Sequence, residues 1–466
     1  MQVKAYNYKQ VDRSVFRAYD IRGIIGEQLD EHAFYSIGLA ISCRLQALNR
    51  THILLACDGR LTSPSLTAAL KQGLLDSGIH VIDLGAVATP VMYYATHVYP
   101  DVDSGLMVTG SHNPADYNGI KMVLAGTTLA NTDIDILYDL NQQGDRLTGK
   151  GEYQSFDIIE DYIKRIIMDI KLARPLKVVV DCGNGIAGPI IPAVLQKLGC
   201  DVVPLYCDVD GRFPNHHPDP TVEANLVDLK AAVAAHQADI GLAFDGDADR
   251  LGVITDRGEL IWPDRLMMLY AQDVLSRNQG ATIVYDVKCS SHLAEVITAA
   301  GGIARMCPTG HSLVKKVMKE ERAALAGEMS GHLFFKDRWY GFDDALYSAC
   351  RLLEILSKSA TSASAQFAAI PNSINTPEIK IPISDELKFT FMLRFTEQAK
   401  FPNALLIAID GLRVEYTHGW GLIRASNTTP CLVARFEARD DASLSAIQTL
   451  FKIQLHAIDK TLNIPF

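Results

Sequence analysis

The chain has 466 residues, more than one ordinary core can hold and suited to about three domains. Apolar residues make up 48% and charged residues 21%, which fits a soluble globular protein. The net charge of -10 excludes the Lys/Arg surplus that phosphate-backbone binding needs, so nucleic acid is not an expected partner.

An anionic ligand would therefore need a local basic pocket in an acidic molecule. The first residues, Met1-Gln2-Val3-Lys4-Ala5-Tyr6, are polar where a signal peptide would be apolar. No apolar stretch approaches the roughly 20 residues that span a bilayer. Nine cysteines are spread singly from Cys43 to Cys431 without a Cys-x-x-Cys pair, the usage of reduced thiols. The expectation is a cytoplasmic protein without a membrane partner.

Three times the chain shows an apolar run ending in Asp, a turn, an amphipathic helix, Gly and a second apolar run. The copies cover 53–84, 178–206 and 283–306, with the first runs ending at Asp58, Asp181 and Asp286. Apolar runs alternating with helices predict βαβ units on largely parallel sheets. A further strand follows each copy, at 104–108, 240–244 and 323–326, and opens into a polar loop. Ligands of open α/β sheets bind beyond the carboxyl ends of strands, so these loops are the expected functional ones.

The first loop, Thr109-Gly110-Ser111-His112-Asn113-Pro114, exposes a hydroxyl on a tight turn where backbone N–H groups can face an anion. A plain Ser/Asn/Pro turn fits that string equally well. The second, Asp245-Gly246-Asp247-Ala248-Asp249-Arg250, alternates three carboxylates that repel one another and invite a dication. Oxygen-only donors favour Mg²⁺ or Ca²⁺ over zinc. An EF-hand is disfavoured because Arg250 stands at the turn Gly and a strand follows; a solvated acidic turn is the minority alternative. The third loop, Glu328-Met329-Ser330-Gly331-His332, offers groups that can bond neighbouring sugar hydroxyls, with His332 as a proton carrier.

After Ala369 the texture changes. Residues 371–377 read as a linker and 371–466 as a smaller α+β domain, a candidate lid closed by a helix over 442–458. Within it Arg424-Ala425-Ser426-Asn427-Thr428-Thr429-Pro430 has the composition of a phosphate cradle. Expected domains are 1–153, 154–259, 260–370 and 371–466. A rival signal is Gly183-Asn184-Gly185-Ile186-Ala187-Gly188 with Asp208 beyond it, resembling a dinucleotide fingerprint and suggesting an NAD-dependent dehydrogenase. Compact strand-to-helix packing needs the same glycines.

Taken together, residues 109–114, 245–250, 327–332 and 424–430 resemble, in order and spacing, the four signature loops of the α-D-phosphohexomutase superfamily. Phe16-Arg17-Ala18-Tyr19-Asp20-Ile21-Arg22-Gly23, Asp286-Val287-Lys288-Cys289, Thr309-Gly310-His311-Ser312 and Asn215-His216-His217-Pro218-Asp219-Pro220 are similar to its bacterial phosphomannomutase/phosphoglucomutase branch. The resemblance implies three related α/β domains and a fourth around one cleft. It implies that Ser111 is phosphorylated and shares Mg²⁺ with Asp245, Asp247 and Asp249. Arg250 and Lys121 would sit near the moving phosphoryl, flanked by His112. Glu328 and Ser330 would bind sugar hydroxyls, and Arg424, Ser426, Asn427 and Thr428 the substrate phosphate. Tyr19, Arg22, Lys288 and His311 would be further contacts, with His332 and Lys121 moving protons.

The implied reaction interconverts hexose 1-phosphate and hexose 6-phosphate, of glucose and of mannose, through a 1,6-bisphosphate that turns over in the site. Glucose 1,6-bisphosphate would be its activator, hexose phosphates its only partners, and the chain a monomer. A phosphoglucosamine mutase is the alternative within the superfamily, disfavoured by Met329 where that subgroup has Gln. Gly110, Ala248 and Cys57 depart from common family residues without removing an expected contact.

Overall fold

A computed structural model describes residues 5–144, 146–427 and 429–466. The three repeats become three sheets with one shared plan. In each, the first strand of the repeat lies between two parallel neighbours. His52–Cys57 sits between His80–Ala86 and Gly105–Val108. Lys177–Asp181 sits between Asp201–Leu205 and Ile240–Phe244, and Thr282–Asp286 between Ile303–Cys307 and Leu325–Gly327. The crossover helices are Ser63–Asp76, Ile191–Lys197 and Ser291–Ala299.

The sheets are mixed, as expected for these related α/β domains. The third parallel strand of each turns back antiparallel, into Tyr117–Leu124, Leu251–Thr255 or Leu333–Phe335. A parallel connection needs about a dozen residues or more, and the loops between these strands are too short for one. The three functional loops are therefore hairpin loops, all at equivalent edges.

The last domain is an antiparallel sheet of Leu405–Ile407, Leu412–Tyr416, Gly419–Ala425 and Cys431–Ala438, packed by the helices Asp385–Gln398 and Asp441–Ile458. Its functional loop, too, is a hairpin loop, between the last two strands. The expected linker is stitched into this sheet: Ile374–Asn375 pairs with Ala438 and Glu437. Extended residues between Pro371 and Pro377 complete an otherwise open edge.

One apolar cluster runs through the first three domains, including Val91, Tyr162, Val178, Leu266, Ile283 and Leu352. The last domain has its own core around Phe395, Val414, Ile423 and Phe451. It meets the third domain through Val287, Trp420 and Leu422. There Arg413 lies 3.7 Å over the Trp420 ring and donates to the carbonyls of Val287 and Cys289. The core arrangement makes the first three domains one body and the fourth a separately packed unit. Among the described residues no helix is long and apolar enough to cross a membrane.

Candidate active site

Ser111 is 2% exposed and adopts φ 51°, a left-handed conformation that costs an L-residue energy and must be held by its surroundings. The clamp comes from Asp58 and Arg60, at the end of the central strand. Asp58 Oδ2 accepts from Thr109 Oγ1 at 2.8 Å and from Gly110 N at 3.2 Å, and Thr109 Oγ1 accepts from Ser111 N at 2.8 Å. Beneath the loop, Arg60 donates to the carbonyls of Ser111, Asn113, Pro114 and Tyr117. A Cβ on Gly110 would lie 2.4 Å from Arg60 Cζ, so the backbone rests directly on the guanidinium. Phe213 of the second domain stacks 5.1 Å from the same group.

This clamp aims Ser111 Oγ at the aspartate loop, 3.1 Å from Asp245 Oδ2. The loops can approach so closely because Gly246 carries no side chain: its Cβ would meet Ser111 O at 2.6 Å. Asp245, Asp247 and Asp249 are all buried and each offers a carboxylate oxygen within 4.8 Å of the others. Lys121 Nζ reaches in from the first domain, 2.7 Å from Asp247 Oδ2 and also bonded to Asp249. Thr89 Oγ1 donates to Asp247 Oδ2 at 2.5 Å.

Burial, with Asp247 and Asp249 beside it, pushes the Asp245 carboxyl well above the carboxylate range. Burial acts the same way on Asp247, but Lys121 outweighs it and holds that carboxyl low. Lys121 feels burial downward and is raised above ordinary lysine by Asp247 and Asp249, so it stays charged. One ammonium among three buried carboxylates leaves demand for more positive charge. Asp247 Oδ1 and Asp249 Oδ1 are buried without hydrogen-bond partners among the described residues. A hard, oxygen-only donor set of this kind fits a Mg²⁺-like dication.

The Glu328–His332 loop is tied to the aspartate loop by backbone: Arg250 bridges His332, and Leu251 N donates to Gly331 O. Arg250 Nε donates to His332 Nε2 at 3.1 Å, while His332 Nδ1 faces Asp343 Oδ2 at 3.1 Å. Glu328 Oε1 accepts from Gly310 N at 2.6 Å, and its Oε2 has no hydrogen-bond partner among the described residues. Burial raises its pKa, only partly opposed by His332 and Lys288. Burial also lowers His112 well below an ordinary imidazole, helped by Arg250, Arg22 and Lys121, so that ring is neutral. His311, likewise buried and lowered, packs 4.9 Å from the Tyr19 ring.

The last domain supplies Arg424, whose Nε bonds Asp410 Oδ2 at 2.8 Å while its Nη2 is buried without a hydrogen-bond partner among the described residues. Ser426 and Asn427 line the same cleft, and Thr428 lies outside the described residues. Lys288 Nζ bonds Glu378 Oε1 at 2.5 Å across the boundary of the third and fourth domains. Arg22 donates to Gly110 O and Asn113 Oδ1, with Asp20 on its other side.

One cleft thus collects Tyr19, Arg22, Ser111, His112, Lys121, Arg250, Lys288, His311, Glu328, Ser330, His332, Arg424, Ser426 and Asn427. The three aspartates stand behind Ser111. The cleft is lined by Arg22, Lys121, Arg250, Lys288, Lys380 and Arg424, the local basic pocket an acidic molecule requires. Sequence reading missed the side chains that hold these groups: Arg60, Thr89, Asp343, Glu378 and Asp410. Arg60 had a signal, since it stands two residues after the Asp58 that ends the first apolar run of a repeat; the others carry none.

The Gly183–Gly188 turn is spent on packing. A Cβ on Gly188 would lie 2.0 Å from Cys207 O, and one on Gly185 2.9 Å from Gly246 O. The turn backs the aspartate loop and does not line the cleft.

Comparison with known proteins gives the same architecture. Residues 13–146, 160–258 and 262–373 match the phosphoglucomutase/phosphomannomutase alpha/beta/alpha domains I, II and III, and 378–452 the C-terminal domain of that family. The chain is 53% identical to a phosphomannomutase/phosphoglucomutase of Pseudomonas putida over 453 residues, 97% of this chain and 98% of that protein. It is 49% identical to a phosphoglucomutase of Neisseria meningitidis over 446 residues, 95% of this chain and 96% of that protein. A crystal structure of a phosphoglucomutase/phosphomannomutase family protein from Burkholderia thailandensis superposes with TM-score 0.93 at 49% identity, covering 98% of this chain and 100% of that one.

Proposed function

The chain belongs to the phosphoglucomutase/phosphomannomutase family, and we propose that it works on glucose and mannose phosphates through a phosphorylated Ser111. It is a phosphohexomutase, interconverting hexose 1-phosphate and hexose 6-phosphate. The observation that carries the serine assignment is the 3.1 Å from Ser111 Oγ to Asp245 Oδ2, with the other two aspartates behind it.

Asp245, Asp247 and Asp249 would hold Mg²⁺, together with an oxygen of the phosphorylated serine. Bound there, the ion neutralises charge on the phosphoryl oxygens. Lys121 and Arg250 add fixed positive charge beside the same group, in a buried setting where it acts strongly. Lys121, kept protonated by its aspartates, serves as that charge and not as the base. His332 then takes the hydroxyl proton: its Nε2 is an acceptor, occupied by Arg250 until the guanidinium turns to a phosphoryl.

Arg424, with Ser426 and Asn427, grips the phosphate already on the sugar, while Glu328 and Ser330 grip hydroxyls. Arg424 Nη2 and Glu328 Oε2, without partners among the described residues, are free to donate to a phosphate and to accept from a hydroxyl. After the first transfer the 1,6-bisphosphate turns end for end and its other phosphate returns to Ser111. Glucose 1,6-bisphosphate entering from solution primes the serine. The separately cored last domain is suited to act as a lid that keeps water from the phosphoserine. The glucosamine alternative is disfavoured by Met329, and the dehydrogenase by a glycine turn filled with protein.

The test is the intact mass before and after glucose 1,6-bisphosphate. Wild type gains one phosphate and Ser111→Ala gains none; equal gain by both would overturn the assignment. Comparable turnover of glucose 1-phosphate and mannose 1-phosphate supports the dual specificity, and a large gap between them refutes it.

A further inference from the structure

Away from the cleft, Cys182 and Cys207 face each other with their sulfurs 3.6 Å apart. They lie just past the ends of the neighbouring parallel strands Lys177–Asp181 and Asp201–Leu205. Alternation along a strand would not bring residue 207 to this place. Tyr206 does so by adopting φ 52°, a left-handed conformation that is strained for a tyrosine and reverses the chain direction locally. Cys182 is 1% exposed, whereas Cys207 is only partly buried. Cys207 is also the more acidic thiol: the Cys182 hydrogen bond lowers it, while the same contact and burial raise Cys182.

We propose that Cys182 and Cys207 form an oxidation site, at which a hydroperoxide converts the pair to an intramolecular disulfide that slows the enzyme. The Cys207 thiolate attacks the peroxide oxygen; the O–O bond breaks, leaving a sulfenic acid and releasing alcohol or water. The Cys182 thiol then attacks that sulfur, the S–O bond breaks, and water leaves as the S–S bond forms. Two electrons and two protons pass from the thiols to the peroxide, and a dithiol reverses the change.

A disulfide needs the sulfurs at about 2 Å, so the strand ends must draw together from 3.6 Å. Cys182 opens the turn that backs the aspartate loop. Gly185 N donates to Cys182 O, Ile186 N donates to Gly246 O, and Gly246 lies against the carbonyl of Ser111. Pulling this turn displaces the aspartate loop relative to the serine while leaving Glu328 and Arg424 in place. The effect falls on kcat and spares KM. That effect rests on the mutase reading; the bond itself does not.

The test treats the full chain with hydrogen peroxide, caps free thiols and reads intact mass, the linked peptide and kinetics. Wild type carries two caps fewer than the untreated enzyme and, before capping, is about 2 Da lighter, with a peptide joining Cys182 to Cys207. Its kcat falls at least about fivefold with KM steady, and dithiothreitol restores it. Cys207→Ser and Cys182→Ser form no bond and hold their activity under the same treatment. Wild type that stays at its reduced mass, or that links other cysteines, overturns the site. A linked enzyme at full kcat overturns the coupling. An enzyme with no mutase activity in either state fails the functional reading and leaves the mass result standing on its own.

Discussion

Replacing Arg60 by lysine keeps a positive charge beneath the serine loop and removes the fork that shapes it. The guanidinium makes bonds of 2.7 Å to Ser111 O, 2.6 Å to Asn113 O, 2.5 Å to Pro114 O and 3.1 Å to Tyr117 O, besides 3.2 Å to Asp58 Oδ2. An ammonium has three protons on one atom and cannot span these acceptors. At least two buried carbonyls lose their donor, at about 1–3 kcal/mol each. Should the loop relax to recover them, Ser111 leaves its φ of 51° and its place 3.1 Å from Asp245 Oδ2. A loss of about 2–6 kcal/mol, felt in the transfer step, lowers kcat by roughly 30-fold to 10⁴-fold. KM should stay within about threefold, because Glu328 and Arg424 sit on other domains. A coupled assay of glucose 6-phosphate production gives both constants, and intact mass after glucose 1,6-bisphosphate gives the phosphorylation step directly. A native-like variant with wild-type kcat, or one defective in KM alone, would refute the clamp.

Lys121→Met strips the aspartates of their resident cation, and breaking such a buried pair costs about 3–5 kcal/mol. Its melting temperature in EDTA should fall well below wild type, and Mg²⁺ should raise it by more than it raises wild type; equal Mg²⁺ shifts would count against a shared site. Thr89→Val removes the 2.5 Å bond to Asp247 Oδ2. We expect kcat to drop by about tenfold and the Mg²⁺ requirement to rise, with KM for the sugar phosphate unchanged; unchanged Mg²⁺ dependence would show that the hydroxyl is only a helix-end contact. Burial raises Asp344 to about 7, so its contribution to stability is complete at acid pH and is lost as pH rises from about 4 to 7. Denaturant unfolding at several pH values should show this decline, by a few kcal/mol at most, and Asp344→Asn should flatten it. A wild-type curve that is level across that window would mean the carboxyl ionises at its ordinary pH.

The lid reading follows from where the cores divide. A fourth domain with its own apolar centre can move as a unit, yet its base is held by Arg413 over Trp420 and by Arg435, 3.0 Å from Asp264 Oδ2. The stitched strand Ile374–Asn375 limits that motion to a hinge near the boundary and does not leave a free tether.

The sequence by itself determined the repeats, the strands and the polar loops that follow them, because these are local: an apolar run, a glycine, a cluster of like charges within a few residues. Ser111, the three aspartates, Glu328 and Arg424 were legible for that reason, and the structure brings their loops into one cleft. What it did not determine was how each group is held. Thr89 lies 158 positions from Asp247, Lys121 lies 128 from Asp249, and Glu378 lies 90 from Lys288. A lone threonine at a helix start, or a glutamate just past a linker, looks the same whether it faces solvent or a buried charge. Only the packing of four domains decides that, since a buried charge must find its partner among whatever the other domains bring to it.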